Sequence, residues 1–459
     1  MLQGKPAFTF ADLTPTMKIK RIVFPALLLF SSSGLFAQGK IAKEHLASGK
    51  VLFAEHRYSE CIAKLSSAIA FFPTYDEALL FRGMAFSALN DMQAAISDFD
   101  KTISLTPHQS GGYMHRGLAQ LRLGKDSLAF LDFTRALQIL PTYSLFNFRG
   151  ISLLNMGRYA EAIPDFSQAI NLDHYKDSAY YHLGLAEFKL KDFIHAQPNF
   201  TQALSLNPKN DQAFYYRGLN FLFLGDTSSA LVDLSYAIKI NPSNSAATLS
   251  RANLYTKLGK YTEALSDFNV CIEKNSCTAY INRGTLYYRL GDFKNAVEDF
   301  TIAIQLGPDS ARTYVSRGNT FLAMDQHHQA WSDYQKAISL SPNSPGAYFC
   351  KSIAEYHLNQ FDLAITDLNK AILLNAKFSE AYIFRGSIYY QLGDFENAIA
   401  DLSTSIALAP SAQSYCDRGN CYAEMGLYEE ALADFNKAIE LDGGMEEALD
   451  GRLMVMENQ

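Results

Sequence analysis

The chain has 459 residues, of which 48% are hydrophobic and 19% are charged, and its net charge is −7. This composition is typical of a folded protein and excludes broad disorder. An acidic balance is the opposite of what a nucleic-acid groove or an anionic membrane surface requires, so neither is predicted as a partner. The six cysteines form no cluster at metal-ligand spacing, and no metal or cofactor is predicted.

The N-terminal region carries a secretory pattern. Three basic residues follow Met17, residues 22–30 form a short apolar core, and small and polar residues lead to Ala37. This arrangement predicts a signal peptide over residues 17–37 that is cleaved after Ala37. The apolar stretch is short for a transmembrane span, but an uncleaved anchor and a buried helix remain alternatives.

The signal peptide predicts where the protein resides. Residues 1–16 lack such a pattern and are interpreted as a non-native or disordered leader, with Met17 as an alternative start. No cysteine follows the cleavage site, which argues against a lipoprotein anchor. Export to an oxidising compartment is expected, namely the periplasm or envelope of a Gram-negative-type bacterium.

Residues 277–310 show the unit from which the rest of the chain is built. With Cys277 as place 1, apolar residues stand at places 4, 8 and 11 and again at places 20, 24 and 27, which is helical spacing. Gly291 at place 15 can end a first helix, and Pro308 at place 32 stops a second one. The two halves therefore predict an antiparallel helical hairpin.

Copies of this unit fill residues 42–444. The residues at place 8 recur every 32–34 positions and define twelve repeats: Gly49, Gly83, Gly117, Gly150, Gly184, Gly218, Ala252, Gly284, Gly318, Ser352, Gly386 and Gly419. A single hairpin of this size cannot bury its own apolar faces, so the repeats must stack. Residues 445–459 start a thirteenth first helix without a second one and are predicted to form a capping helix.

The repeated residues identify a family resemblance. Tyr280, Gly284, Tyr287, Ala296 and Phe300 stand at places 4, 8, 11, 20 and 24, and Ala and Pro follow at places 27 and 32. In this pattern the chain resembles tetratricopeptide repeat proteins, in a variant with Arg-Gly at places 7–8 and Asp-Phe or Asp-Leu at places 23–24. The resemblance implies an all-α solenoid, a right-handed superhelix of about twelve antiparallel helix pairs plus the capping helix. It also implies a concave groove that binds other proteins or peptides.

The most regular polar feature is an Arg at place 7 with an Asp at place 23. These places lie nearly level in the hairpin, so a repeated structural ion pair within or between repeats is predicted, with a ligand-binding ladder as the alternative. The predicted pairs include Arg82 with Asp98, Arg116 with Asp132, Arg283 with Asp299 and Arg317 with Asp333.

Places 2, 5, 9, 12 and 13 point away from the second helix and form the predicted groove set. Places 5 and 12 carry an unusual number of apolar and aromatic residues. They either line a partner-binding groove or pack against neighbouring repeats. The candidates at place 5 are Leu80, Met114, Asn147, Tyr181, Tyr215, Leu249, Phe349 and Ile383, and those at place 12 are Tyr288, Tyr356 and Tyr390. Family members that bind acidic chaperone tails use Lys at place 5 and Asn at place 9. Asn253, Asn319 and Asn420 occupy place 9 here, but place 5 carries apolar residues and not lysines, so that specificity is not carried over.

Some repeats depart from the pattern. Pro164 and Pro198 stand inside predicted second helices, where they either bend the array or are tolerated early in the helix. Cys271 and Cys277 bracket a shortened junction and are considered as a disulfide, with free thiols in the core as the alternative.

The sequence favours a non-catalytic function. It contains no phosphate-binding loop, no metalloprotease motif and no nucleophile elbow. The leading hypothesis is an exported scaffold that binds partner polypeptides in the groove. The alternative is a structural subunit of a membrane-associated assembly, which would touch the membrane only if the N-terminal segment is retained. Nothing in the sequence predicts the oligomeric state.

Overall fold

The computed structural model describes the backbone of residues 32–458 and the side chains of residues 38–457. This part of the chain is all-α, with 25 helices and no strand. The predicted signal peptide falls largely outside it, and the predicted leader entirely so. None of the helices between residues 32 and 458 is both long and apolar enough to cross a membrane.

The chain divides into two compact blocks, the first ending at Ala186 and the second beginning at Glu187, inside the irregular fifth repeat. The first block contains α1 (Ser32–Ala54), α2 (Tyr58–Phe71), α3 (Asp76–Ala88), α4 (Met92–Leu105), α5 (Ser110–Arg122), α6 (Asp126–Ile139), α7 (Tyr143–Asn155), α8 (Tyr159–Leu172) and most of α9 (Asp177–Lys189).

The second block holds the remaining helices. They are α10 (Phe193–Leu206), α11 (Asp211–Phe223), α12 (Thr227–Ile240), α13 (Ser245–Lys257), α14 (Tyr261–Ile272), α15 (Cys277–Arg289), α16 (Phe293–Leu306), α17 (Ala311–Ala323), α18 (His327–Leu340), α19 (Pro345–His357), α20 (Phe361–Leu374), α21 (Ser379–Gln391), α22 (Phe395–Leu408), α23 (Ala412–Glu424), α24 (Tyr428–Leu441) and α25 (Glu446–Asn458).

Within each block, consecutive helices pack as antiparallel pairs, and each pair packs on the next, which makes an all-α solenoid. Odd-numbered helices are the first helices of the repeats, and even-numbered helices are the second. Most first helices end at a residue whose backbone is in the left-handed conformation. Gly291 has φ 77°, and Asn90 and Asn359 adopt the same conformation although they are not glycine. In repeat 5 that position is Lys191, with φ 64°, where a side chain is strained.

The core of each repeat is built from small residues facing large ones. Ala162, Phe166 and Ala169 at places 20, 24 and 27 of repeat 4 are fully buried. Glycine at place 8 makes room for the ring at place 24, since a Cβ added to Gly150 would lie 2.5 Å from the ring of Phe166. This close approach explains why place 8 is Gly in ten of the twelve repeats, the others having the small residues Ala252 and Ser352.

The two helix-interior prolines leave their helices continuous. Pro164 lies within α8 and Pro198 within α10, each at the sixth residue and each exposed to solvent. A proline there removes one helical hydrogen bond, and its exposure leaves the freed carbonyl open to water.

Candidate functional site: the surface of successive first helices

The polar residues that recur at places 7 and 23 form hydrogen bonds with each other inside the fold. In nine repeats the place-7 arginine donates from Nε and Nη2 to both carboxylate oxygens of the place-23 aspartate, as in Arg82 to Asp98 at 2.8 Å for each bond. The pairs are Arg82–Asp98, Arg116–Asp132, Arg149–Asp165, Arg217–Asp233, Arg251–Asp267, Arg283–Asp299, Arg317–Asp333, Arg385–Asp401 and Arg418–Asp434. We call this two-bond arrangement the fork.

Eight of the nine forks also tie their repeat to the preceding one. The exception is Arg149, since the hydroxyl of Thr134 at place 25 of repeat 3 has no hydrogen-bond partner among the described residues. The third donor, Nη1, reaches a polar side chain at place 25 of the repeat before: Arg82 donates to Ser66 at 3.0 Å, and Arg317 donates to Thr301 at 3.0 Å. Sequence reasoning missed this contact, although the signal was present as a polar residue recurring at place 25. The guanidinium groups of these arginines therefore donate their hydrogen bonds to other residues of the repeats, and they are not free to bind a ligand.

Three repeats lack the fork. Repeat 1 has Ser48 at place 7 and Lys64 at place 23. In repeat 5, Leu183 replaces the arginine, and Asn199 at place 23 donates to Glu187 at 2.7 Å. In repeat 10, Lys351 at place 7 bonds Asp367 at 2.8 Å and Glu355 at 3.0 Å.

The carboxylate of Glu355 in repeat 10 is deeply buried. Its Oε1 also accepts a hydrogen bond from the indole N–H of Trp331 at 3.1 Å. Burial raises the pKa of Glu355, against the opposing effect of the Lys351 and Trp331 hydrogen bonds.

Most of the predicted groove residues at place 5 contribute to packing between repeats. Leu80, Met114, Tyr215, Leu249 and Phe349 are half-buried and pack against the core clusters of their repeats. Tyr181 and Ile383 are half-buried as well. The face opposite the second helix is therefore partly an interface between successive first helices.

Phe349 shows how tightly place 5 is packed. Its ring centroid lies 5.1 Å from that of Phe378 and 6.0 Å from that of Phe384, both in the region of the next repeat. Such ring contacts add stability beyond area burial alone.

Asn147 is a correction to the predicted groove. It is only 5% exposed, and its side-chain amide donates to Ser178 at 3.2 Å. Its carbonyl oxygen lies 3.3 Å from Nδ1 of His182, whose pKa burial lowers to about 4. Asn147 therefore satisfies a buried polar network, because a buried amide must find hydrogen-bond partners inside the protein.

The place-12 tyrosines form a recurring ring pair with place 17. Tyr288 packs on Phe293, Tyr356 on Phe361 and Tyr390 on Phe395, with ring centroids 5.6 Å apart in each pair. Tyr356 also contacts Phe384 of the next repeat at 5.4 Å. Tyr288 and Tyr390 remain 38% and 36% exposed, so these two still present an aromatic side chain to solvent.

A polar cleft lies between the first helices of repeats 7 and 8. It has a volume of about 440 Å³ and is lined by Asn253, Thr256, Lys257, Phe268, Asn282, Thr285, Leu286 and Arg289. We call this the repeat 7–8 cleft. Its lining contains two cations and no carboxylate, although the chain as a whole is acidic.

The amides and cations of the cleft can serve a ligand. Asn282 donates to Asn253 at 2.9 Å, which leaves the Asn253 amide N–H groups available as donors. Lys257 and Arg289 stand at place 13 of successive repeats and are exposed. Such donors suit carbonyl and carboxylate groups of a polypeptide. Places 9 and 13 belong to the predicted groove set. Asn253 was noted at place 9 from the sequence, but neither cation of the cleft could be singled out.

The disulfide considered between Cys271 and Cys277 is not formed, and both thiols are free. The Sγ of Cys271 lies 3.8 Å from the carbonyl oxygen of Ser245, and the Sγ of Cys277 lies 3.5 Å from that of Ala303. Each thiol contacts its own helix pair, and Cys271 is buried whereas Cys277 is half-buried. The junction between α14 and α15 therefore closes through its turn, where Asn275 has φ 54°.

Among the described residues, no group of three or more His, Cys, Asp or Glu side chains is placed to hold a metal ion.

The geometry defines the class: an all-α solenoid of helix pairs whose repeated polar residues are structural. Models of the tetratricopeptide repeat match residues 76–109, 149–193, 177–210, 217–274, 278–310, 311–344, 351–413 and 412–444. Because these matches cover more than half of the chain, it belongs to the tetratricopeptide repeat family. Members of this family act as protein-interaction scaffolds and are typically non-catalytic.

Known proteins are similar in sequence to part of this chain. It is 28% identical over 162 residues to human tetratricopeptide repeat protein 13, covering 33% of this chain and 19% of that protein. It is 29% identical over 102 residues to the Hsp70-Hsp90 organizing protein of Triticum aestivum, covering 22% and 18%. The chain thus spans about a fifth of the length of these relatives.

Several solved structures have similar folds, and two of them are described here by their similarity to this chain. The APC/C hetero-tetramer Cut9–Hcn1 matches with 13% identity and a TM-score of 0.46, covering 93% of this chain and 99% of that one. YrrB, a tetratricopeptide repeat protein with an unusual peptide-binding site, matches with 21% identity and a TM-score of 0.36, covering 40% and 95%.

Proposed function

We propose that the protein is a non-catalytic scaffold of the cell envelope that binds partner polypeptides on the surface of its successive first helices. The observation that carries this proposal is the repeat 7–8 cleft, where Lys257, Arg289 and Asn253 present hydrogen-bond donors to solvent. Elsewhere the recurring polar residues form the forks and the hydrogen bonds that link forks to the preceding repeat. The variable places of the first helices are therefore the ones available for recognition.

The exposed rings support the same surface. Tyr288 at place 12 of repeat 8 adjoins Arg289 in the sequence and is 38% exposed. An exposed ring and two exposed cations on successive first helices are suited to a peptide that has both apolar and acidic side chains. Aromatic and arginine side chains are also the residue types enriched at binding hot spots.

Export is the second part of the proposal. Residues 17–37 have the charge and apolar pattern of a signal peptide, and we infer a mature N-terminus at Gln38 in the periplasm or envelope. A tethered subunit of a membrane-associated assembly is the alternative, in which residues 22–36 are retained. Mass spectrometry of the N-terminus distinguishes the two: a chain that begins at Gln38 excludes the tether.

Site-specific crosslinking in the native host tests the binding surface. A photo-reactive residue replaces Asn253 in the cleft, and a matched one replaces Glu263, which is exposed on the second helix of the same repeat. The proposal predicts a discrete polypeptide adduct from position 253 and none of that mass from position 263. No adduct from position 253, or the same adduct from both positions, contradicts the proposal.

A further inference from the structure

Repeats 5 and 10 differ from the other repeats by a glutamate at place 11. This residue is Glu187 in repeat 5 and Glu355 in repeat 10, and no other repeat has an acidic residue at place 11. Among repeats 2–12 these are also the two repeats in which the fork is absent. Glu355 is the more deeply buried of the two glutamates, with only 1% of its surface exposed.

The side chains around Glu355 contain one positive group and two negative groups. The Nζ of Lys351 lies 3.0 Å from Oε1 of Glu355 and 2.8 Å from Oδ2 of Asp367, which is also buried. A fork joins one arginine to one carboxylate and is neutral, whereas this cluster has one excess negative charge when both carboxyl groups are ionised. Such a charge is costly inside a protein, because burial removes its hydration.

The two oxygens of the Glu355 carboxylate are bonded unequally. Oε1 accepts from Lys351 and, at 3.1 Å, from the indole N–H of Trp331. Oε2 is buried and has no hydrogen-bond partner within the part of the chain that the structure describes. A buried oxygen without a donor destabilises the ionised form, and this is why burial outweighs the two hydrogen bonds and raises the pKa of Glu355.

No further charge is placed to neutralise the cluster from the neighbouring helices. Three helices pack against α19, namely α17, α18 and α20. Arg317 of α17 and Asp333 of α18 pair with each other in a fork, and His327 of α18 stacks on His357 at 4.7 Å. The other charged or titratable side chains on these three helices that are exposed to solvent include Arg312, His328, Lys336, Asp362 and Lys370.

We propose that repeat 10 contains a proton-binding site, in which Glu355 takes up one proton from solvent while the chain stays folded and surface carboxylates are still ionised. Protonation leaves Lys351 paired with Asp367 alone, so the cluster becomes neutral, as a fork is. Ionisation of Glu355 therefore weakens the packing of α19 against α18 and α20, and it makes the stability of repeat 10 depend on pH.

The direction of this dependence follows from the raised pKa of Glu355. The stabilisation is fully present below about pH 4.3, where an unfolded glutamate titrates, and it is lost as pH rises through the folded-state pKa. The site shares no residue with the repeat 7–8 cleft, so this proposal stands independently of the proposed function.

The single tryptophan of the chain reports on this proton, because the indole N–H of Trp331 donates to Glu355. The fluorescence of the full chain is titrated from about pH 8 to 4, and circular dichroism at each pH identifies the range in which the chain is folded. We expect a one-proton transition in the folded range, with a midpoint above the ordinary value of about 4.3. In the variant Glu355→Gln this transition is absent, whereas any contribution from His327 or His328 remains.

The variant Asp367→Asn tests the charge balance without requiring that Glu355→Gln folds. It leaves Lys351 paired with Glu355 alone, and the midpoint should move to lower pH because the negative charge of Asp367 opposes ionisation of Glu355. The matched control is Asp401→Asn, which removes the equivalent carboxylate from the fork of repeat 11 and should leave the midpoint unchanged.

Thermal denaturation gives a second measurement. The thermal midpoint of the parent, relative to that of Glu355→Gln, should fall as pH rises from about 4.5 to 8. The proposal is overturned if the parent shows no fluorescence transition above about pH 4.3 or only one that coincides with loss of helicity. It is also overturned if Glu355→Gln retains the transition, if Asp367→Asn does not lower its midpoint, or if the thermal midpoints of parent and Glu355→Gln run parallel with pH.

Discussion

Arg283 donates from Nε and Nη2 to the two carboxylate oxygens of Asp299 at 2.8 and 2.7 Å, while its guanidinium carbon lies 5.9 and 5.5 Å from the ring centres of Tyr280 and Tyr287. The hydrogen bonds to Asp299 raise the pKa of Arg283. Burial raises the pKa of Asp299, and the fork opposes that shift. Each of the two side chains therefore depends on the other as the partner of its charge.

Breaking this fork on one side should destabilise the chain strongly. Arg283→Leu leaves the buried Asp299 without its partner, and we expect a loss of about 3–5 kcal/mol in the free energy of unfolding. The double variant Arg283→Leu with Asp299→Asn reproduces the residue types that repeat 5 has at Leu183 and Asn199. It should lose less than the single variant in thermal denaturation. An equal or greater loss in the double variant would show that the charge pair is not what holds these places.

Glycine at place 8 should be intolerant of a methyl group only where a large ring lies against it. Gly150→Ala places a Cβ 2.5 Å from the ring of Phe166, and we expect a cost of about 1–3 kcal/mol from overpacking. The control is Gly346→Ala, another helical glycine, whose Cβ would meet nothing within 4 Å. That change should stabilise the chain by about 0.5–1 kcal/mol through helix propensity, measured by the thermal midpoint. The same sign for both variants would contradict the packing account.

His115 should make stability depend on pH. Its ring stacks on Phe99 at 5.8 Å, and burial lowers its pKa to about 4, whereas an unfolded histidine titrates near 6.5. A folded-state pKa below the unfolded one gives stability that is present above about pH 6.5 and is lost as pH falls toward 4, with a slope of up to about 1.4 kcal/mol per pH unit.

The variant His115→Phe tests this effect. Place 6 is already phenylalanine at Phe81 and Phe148, so the ring contact is retained. The thermal midpoint of the variant should fall less than that of the parent between pH 6.5 and 4. Parallel pH profiles for the two chains would rule out His115 as a source of the acid sensitivity.

Two aromatic positions of the first helices should separate into structural and surface roles. Phe349→Ala removes a ring packed against Phe378 and Phe384 and should cost about 2–4 kcal/mol of stability. Tyr288→Ala removes a side chain that is 38% exposed, and its cost should stay near 1 kcal/mol. Chemical denaturation of both variants measures the difference. Similar losses would mean that Tyr288 belongs to the core and is not available to a partner.

Much of the fold could be predicted from the sequence, because the residues that determine each helical hairpin lie close together in the chain and recur from repeat to repeat. The fork joins places that are 16 residues apart in one hairpin, as in Arg82 and Asp98, so hairpin geometry alone brings them together. The twelve-fold recurrence of a small residue at place 8 and a large one at place 24 likewise follows from packing within one repeat.

The contacts between repeats could not be predicted in the same way. The link from Arg317 to Thr301 and the ring contact of Tyr356 with Phe384 depend on how one repeat is set against the next. For the same reason the sequence placed Asn147 on an open groove, whereas a neighbouring repeat buries it. Single side chains of the repeat 7–8 cleft carry no repeated signal at all, since places 9 and 13 vary from copy to copy.

The central claim is that the first-helix surface at repeats 7 and 8 binds a polypeptide through Lys257 and Arg289. The most direct measurement is the dissociation constant of the partner crosslinked from position 253, for the parent chain and for the variant Lys257→Gln with Arg289→Gln. The matched control is Arg122→Gln, at place 13 of repeat 3, whose guanidinium already donates to the carbonyl of Ser87 at 3.0 Å. We predict at least tenfold weaker binding for the cleft variant and less than a twofold change for the control, with unchanged thermal midpoints. Equal affinity of the parent and the cleft variant would contradict the account.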